Sequence, residues 1–259
     1  MDLDLSGKSV LITGAYRGTG AGIAKVFAAE GAQVMVHGFE AGQPDDVVAE
    51  IMSSGGVATG VVADIATDQG AAAMADVAAS VDVLVNNYGT PMGSSWTSMD
   101  EWSEEWNRNV LAAVRVTQLC TPGMRERGWG RVVFVGTVGA RRPGARNPGY
   151  YAAKAGLHAM VRTLAMELRG TGVTANVVSP GMIATSEVRE MLAKRAARAG
   201  VGENWEDIEQ WGLANAFGNL NERIADPTDI GRVVVFVASE PAWHINGADI
   251  AVDGGAVDA

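Results

Sequence analysis

The chain has 259 residues, 47% of them hydrophobic and 19% charged, a composition that supports a sizeable core and argues against a disordered chain. Its 20 Lys and Arg stand against 30 Asp and Glu, and the net charge of −10 disfavours nucleic acid and anionic membrane surfaces as partners. The single cysteine, Cys120, excludes an internal disulfide framework and a thiolate metal cluster, and fits a reducing compartment. The N-terminus, Met1-Asp2-Leu3-Asp4-Leu5, is acidic and lacks the pattern of a leader, and no run of 18 apolar residues appears, so a cytoplasmic protein is expected.

Short apolar runs alternate with longer helical stretches. In chain order, residues 9–13 read as a strand and 21–30 as a helix closed by Gly31; 34–36 is a second strand and 45–53 a helix ended by Gly55-Gly56. A third strand over 57–63 precedes a helix over 69–79, and a fourth over 81–85 precedes a long helical pattern over 99–127. Residues 131–135 are a fifth strand, 150–169 a helix and 173–178 a sixth strand; 226–239 is a helix and 248–252 a short last strand. Several strands are continuous apolar runs, the mark of parallel strands covered by helices on both faces. The repeated strand–helix units predict one α/β domain over 1–259, a doubly wound, Rossmann-type parallel sheet of seven strands. Residues 183–225 depart from the alternation, with mixed charge and Trp205, Trp211 and Phe217. They read as a helical substrate lid, or else as a helical excursion used for packing or subunit contact.

Thr13-Gly14-Ala15-Tyr16-Arg17-Gly18-Thr19-Gly20 follows the first strand and opens the first helix. Glycines let the backbone pass close to a pyrophosphate, and the helix N-terminus offers unpaired N–H groups to the anion. The bland alternative is a tight turn with no ligand.

The spacing Gly14-x-x-x-Gly18-x-Gly20 resembles the short-chain dehydrogenase/reductase family, in a 3-oxoacyl-ACP reductase-like form. The resemblance extends through Asp64-Ile65, Asn86-Asn87-Tyr88-Gly89, Asn109 seven residues after Trp102, Tyr150-x-x-x-Lys154, Ser179-Pro180-Gly181-Met182-Ile183-Ala184-Thr185 and Val252-Asp253-Gly254-Gly255. It implies an NAD(P)-dependent oxidoreductase that interconverts a secondary alcohol and a ketone. The cofactor would lie against Gly14, Tyr16, Arg17, Gly18, Thr19, Gly20, Gly38, Phe39, Asp64, Ile65, Asn87, Tyr88, Gly89, Tyr150, Lys154, Pro180, Gly181, Ile183 and Thr185. Tyr150 would be the general acid/base, and Lys154 would hold the nicotinamide ribose. Asn109 would anchor a water that relays protons from Lys154; alternatively it bonds buried backbone.

Taken alone, Tyr150 and Lys154 could be a pair on a solvated helix face; beside the other motifs the catalytic reading stands. Spacing of i and i+4 puts both side chains on one helix face, and an ammonium nearby favours the phenolate. Tyr151 follows directly, but only Tyr150 stands four residues before Lys154. Two positions depart from the family pattern. Thr137 stands where the family has a serine, keeping the hydroxyl and adding a methyl. Tyr88 replaces a small alanine beside the cofactor channel.

The cofactor reading is NADP or NAD, leaning slightly towards NADP. Gly38 stands where NAD users carry an acidic residue, and Arg17 could pair a 2′-phosphate. Phe39 and Glu40 argue the other way. Substrate contacts are expected from Arg141, Arg142 and Arg146 after Thr137, from Met92, Ser94, Ser95 and Trp96, and from Met191, Leu192, Trp205 and Trp211 of the lid. The arginines read better as solvated or bridging subunits, and the lid residues equally as lid core. His37, His158 and His244 show no ligand spacing, so no catalytic metal is expected. The expected partner is a small-molecule carbonyl or alcohol, and by resemblance the assembly is a homotetramer or homodimer. Two alternatives remain: a dinucleotide-binding sensor or scaffold without turnover, and a cofactor-retaining epimerase or dehydratase.

Overall fold

The computed structural model describes residues 1–256, so the last three positions of the expected 1–259 unit lie outside the described residues. Seven strands, β1 Ser9–Ile12, β2 Gln33–Gly38, β3 Val57–Val62, β4 Val83–Asn86, β5 Gly130–Val135, β6 Val173–Pro180 and β7 Asp249–Val252, form one sheet. Their order is β3-β2-β1-β4-β5-β6-β7 and every pairing is parallel. The helices are α1 Gly18–Ala29, α2 Asp45–Ser53, α3 Asp68–Ala72, α4 Ala75–Ala79, α5 Met99–Trp106, α6 Ala112–Arg127, α7 Pro148–Glu167, α8 Ser186–Arg198, α9 Trp205–Asn215 and α10 Pro227–Val237.

Strand β1 explains why the apolar runs are continuous. Val10 and Ile12 join the core cluster that holds Phe27 of α1 and Ile230 of α10. Leu11, pointing the other way, joins the cluster that holds Val116 of α6 and Leu157 of α7. Both faces of the strand are covered, so both parities must be apolar. Helices α1 and α10 pack closely: a Cβ on Gly22 would sit 2.4 Å from the Pro227 Cβ.

Three elements differ from the periodicity. The stretch 69–79 is two five-residue helices, with a turn at Ala73-Met74 that turns Met74 into the core. The stretch 99–127 is interrupted by a π-helical turn at Asn107–Leu111. A π turn holds one residue more than an α turn and so reorients what it carries; here it carries Asn109. Residues 183–225 contain α8 and α9, which enclose a small core of their own around Leu192, Ala196, Ile208 and Ile224. Met191, Trp205 and Trp211 pack against that core, so the lid-core reading of those side chains holds and the substrate-lining one does not.

The chain leaves β1 towards β2 and β3, then returns to place β4 on β1's other side. The loops after β1 and β4 therefore part at the carboxyl end of the sheet, and a crevice opens between them. The motifs after β1, β4, β5 and β6 all reach this edge.

Candidate active site

One cleft of about 810 Å³ lies at that edge. It is lined by Gly14, Tyr16, Arg17, Gly18, Thr19, Gly20, Phe39, Asp64, Asn87, Tyr88, Gly89 and Thr185 among the expected cofactor residues. Gly38, Ile65, Pro180 and Ile183 are not among its lining residues; Ile65 belongs to the core, and Gly38 is closed off by the Gln43 side chain. Gly181 lines the neighbouring cavity instead.

The wall of the cleft is made largely by what glycines omit. Gly14 and Gly18 have φ of +62° and +56°, in the left-handed region that favours glycine. A Cβ on Gly20 would lie 2.6 Å from Asn87 Nδ2 and 2.7 Å from the Gly14 carbonyl. Asn87 ties the turn to the end of β4: its Nδ2 donates to the carbonyls of Thr13 (2.9 Å) and Gly14 (3.2 Å). His37 holds the turn from below. It is completely buried, its Nδ1 accepts the Gly14 N–H at 3.0 Å, and its Nε2 donates to the Ala63 carbonyl at 3.0 Å. Burial lowers its pKa to about 4, so the ring is neutral and fixed in one tautomer.

Tyr88 does not fill the cleft. Its ring packs on Phe39, with centroids 4.5 Å apart, and the Arg108 guanidinium sits 5.9 Å from its centre. Arg108 also lines the cleft and its buried Nε has no hydrogen-bond partner. Arg17 points to α8, where it pairs with Glu187 at 2.9 Å. The glycine-lined cradle and the unpartnered guanidine nitrogen fit a nucleotide with anionic groups.

Two of the four catalytic candidates, Asn109 and Lys154, meet beside Gly89. Lys154 is 2% exposed, and its Nζ donates to the Val135 carbonyl at 2.9 Å. Burial lowers its pKa to about 8. A Cβ on Gly89 would lie 2.6 Å from Asn109 Oδ1 and 2.9 Å from Lys154 Nζ, so both groups border the same small space. Tyr150 lines the adjacent cavity of about 700 Å³ together with Thr137, Tyr151, Met182 and Phe217. The expected lowering of the Tyr150 pKa by Lys154 is not found. Burial raises it, Tyr151 and Glu105 add to the rise, and a hydrogen bond with Thr137 works against it. Desolvation is the largest of these contributions.

Among the other expected contacts, Ser94 Oγ accepts the Gly149 N–H at 2.9 Å and anchors the loop after β4 to α7. Trp96 is exposed. Arg141 pairs with Asp249, and Arg142 donates to the Ala256 carbonyl while lining the substrate cavity. Sequence reasoning missed His37, Arg108 and Glu105. The last two had a legible signal, since they stand one and four residues before Asn109.

A half-buried phenol, an ammonium and an amide beside a glycine-walled nucleotide cleft are the arrangement of a dinucleotide-dependent oxidoreductase of alcohols and ketones. The chain matches the short chain dehydrogenase family over residues 8–196 and belongs to it. D-beta-hydroxybutyrate dehydrogenase of Cupriavidus necator is 33% identical, over 97% of this chain and 98% of that protein. The 3-oxoacyl-(acyl-carrier-protein) reductase of Mycobacterium avium is 34% identical, over 96% and 89%. The crystal structure of L-sorbose reductase from Gluconobacter frateurii, complexed with NADPH and L-sorbose, superposes with a TM-score of 0.90 at 30% identity, covering all of both chains. The cofactor is NAD or NADP, and the substrate is a small molecule bearing a CH–OH or ketone group.

Proposed function

We propose that this chain reduces a small polar ketone to a secondary alcohol, with Tyr150 as general acid and NADPH favoured over NADH. The observation that carries the reading is the half-buried Tyr150 phenol, hydrogen-bonded to Thr137 in the wall of the second cavity. The nicotinamide dinucleotide supplies the hydride when bound. The protein orients the carbonyl and moves the proton. Tyr150 keeps its proton at neutral pH because burial opposes the phenolate, so it is poised to donate to a carbonyl oxygen. Thr137, in place of a serine, shares that oxygen through its hydroxyl. Lys154, still mainly protonated below its pKa of about 8, carries the positive charge under the site and feeds the proton back towards Tyr150 with Asn109.

The substrate cavity is polar as well as apolar: Arg142, Asn219 and Asp253 line it together with Met182 and Phe217. Such a lining suits substrates of the kind named for L-sorbose reductase and D-beta-hydroxybutyrate dehydrogenase. Residues 183–225 close over the site as a substrate lid within a single domain. Among the described residues no helix is long and apolar enough to cross a membrane, and we place the protein in the cytoplasm. It works as a homotetramer or homodimer, with the exposed Trp106 and Leu111 of the helix 99–127 face covered by a second copy; sedimentation as a monomer at micromolar concentration overturns that part.

The test is reduction of a panel of sugars, oxo acids and 3-oxoacyl thioesters with NADPH and NADH, for the wild type and Tyr150→Phe. Turnover that disappears in the variant supports the reading. Full turnover by Tyr150→Phe removes the tyrosine from the mechanism.

A further inference from the structure

Glu105 is completely buried, and neither the motifs nor the reading above gives it a role. It lies on the last turn of α5, four residues before Asn109, and the π turn begins two residues later. Its two oxygens have different partners. Oε1 accepts the Met92 N–H at 2.7 Å, and Oε2 accepts from Asn109 Nδ2 at 2.9 Å. Asn109 Nδ2 also donates to the Glu105 carbonyl at 3.0 Å. Nδ2 also reaches the Thr90 carbonyl at 3.5 Å, but its two shorter bonds both go to Glu105. Asn109 Oδ1 is left buried without a protein partner, facing the space below Gly89 that it shares with Lys154 Nζ. An isolated buried carboxylate is expensive to keep unless its bonds accomplish something.

We propose that Glu105 is a positioning residue. It fixes the Asn109 amide with its oxygen towards Lys154, and it pins the substrate-side loop at Met92 over the same site. A carboxylate can only accept, so the amide must present its NH₂ to Glu105 and its oxygen to the ammonium side. If that order were reversed, an NH₂ would face the Lys154 ammonium, donor against donor, and the proton path would be broken. The device rests on the reading of Tyr150, Lys154 and Asn109 as the proton-handling set. It extends that set to a charge that already bears on Tyr150.

Glu105→Gln is the discriminating substitution. The glutamine oxygen keeps the Met92 N–H, and its NH₂ then faces the Asn109 NH₂, donor against donor, which drives Asn109 to turn over against its bonds to the backbone carbonyls of residue 105 and Thr90. The fold survives while the amide points the wrong way. With NADPH and the fastest carbonyl compound of the panel, kcat should fall about tenfold or more with the NADPH Kd within about twofold, the behaviour of a shell that orients a functional group. In an Asn109→Ala background the same substitution should change kcat by less than about twofold, because residues acting as one unit are not additive. Equal effects in both backgrounds, or wild-type kcat in Glu105→Gln, overturn the proposal.

A second pair of variants reads the contact without turnover. Asn109→Asp sets two carboxylates against each other at 2.9 Å and should lower Tm. Adding Glu105→Gln restores a donor and should raise Tm back; failure to recover overturns the pairing. The underlying reading fails separately. Full turnover in Tyr150→Phe or in Asn109→Ala sinks the proton-handling set and the proposal with it, whereas slow Tyr150→Phe and Asn109→Ala with additive Glu105→Gln sinks the proposal alone.

Discussion

At the nucleotide end of the cleft, room is made by residues without side chains, and the Arg17–Glu187 pair that lines it stands in water. Gly14, Gly18 and Gly20 shape the turn, and Arg17 and Glu187 are 60% and 49% exposed. At the catalytic end the reverse holds. Lys154, Asn109 and Glu105 are buried, and the pKa values of Lys154 and Tyr150 are displaced by burial. One end is tuned by shape and the other by desolvation. Substitutions at the two ends should therefore fail in different ways.

The largest effect is expected at the catalytic end. Lys154→Met keeps the volume and removes the charge. Turnover should fall by about a thousandfold, the scale of a lost acid–base contribution. Stability should move the other way. The Lys154 pKa falls from 10.5 to about 8 on folding, so between those values the unfolded chain binds more protons than the native one and stability rises with pH. At pH 7 the native state bears the full penalty, about 3 kcal/mol for a shift of that size, reduced by the lost bond to the Val135 carbonyl. Thermal melts at pH 7 should show a higher Tm for the inactive variant. A lower Tm would mean that the ammonium is not held against its solvation, and the contrast between the two ends would collapse.

Gly20→Ala tests the other end. Its Cβ would meet Asn87 Nδ2, the Gly14 carbonyl and Ala15 Cα at 2.6, 2.7 and 2.8 Å, so the turn must open. NADPH titration should show affinity weakened by about tenfold or more, with kcat at saturating NADPH close to wild type, since overpacking costs about 1–3 kcal/mol and touches no reacting group. A variant with unchanged affinity would show that the turn does not carry the cofactor.

His37 links shape to titration. Its pKa is 6.5 unfolded and about 4 folded, so the native state excludes a proton that the unfolded chain takes up. The associated stability is present above about pH 6.5 and is lost as pH falls towards 4, at most about 3 kcal/mol. Protonation also removes the acceptor for the Gly14 N–H. In the native protein the ring is protonated only as pH approaches about 4, so NADPH affinity should decline there, below the window in which stability is lost, and a His37→Gln variant should flatten the decline. Parallel pH curves for the two proteins would remove His37 from the turn.

The sheet, its order and the residues after each strand were legible because their signals are local: buried parallel strands are apolar on both parities, and glycines punctuate the turns. Tyr150 and Lys154 were legible for the same reason, four residues apart on one helix. The helix breaks at Ala73-Met74 and at the π turn were not, because periodicity over 69–79 and 99–127 survives a one-residue insertion. The direction of the Tyr150 shift was misjudged from a neighbouring charge alone, since burial depth depends on how α7 seats against β5. Arg17 illustrates the same limit. Its sequence position admits a 2′-phosphate partner, but only the fold brings Glu187 of α8 within 2.9 Å.

That pair supplies the smallest expected effect. Glu187 is held below the usual carboxylate range: partial burial pushes upwards, but hydrogen bonds from its own backbone, Thr185 and Ser186, together with the Arg17 charge, outweigh it. A cofactor 2′-phosphate must compete with this carboxylate for Arg17. Glu187→Gln releases the guanidinium, so NADPH should bind more tightly while NADH is unaffected. An exposed pair contributes at most about 1 kcal/mol, which limits the gain to about fivefold, and raising the salt concentration should erase it. Equal gains for both cofactors would place the effect on the lid instead of the 2′-phosphate. A loss of NADPH affinity would mean that Glu187 holds Arg17 in its binding position and is part of the nucleotide site.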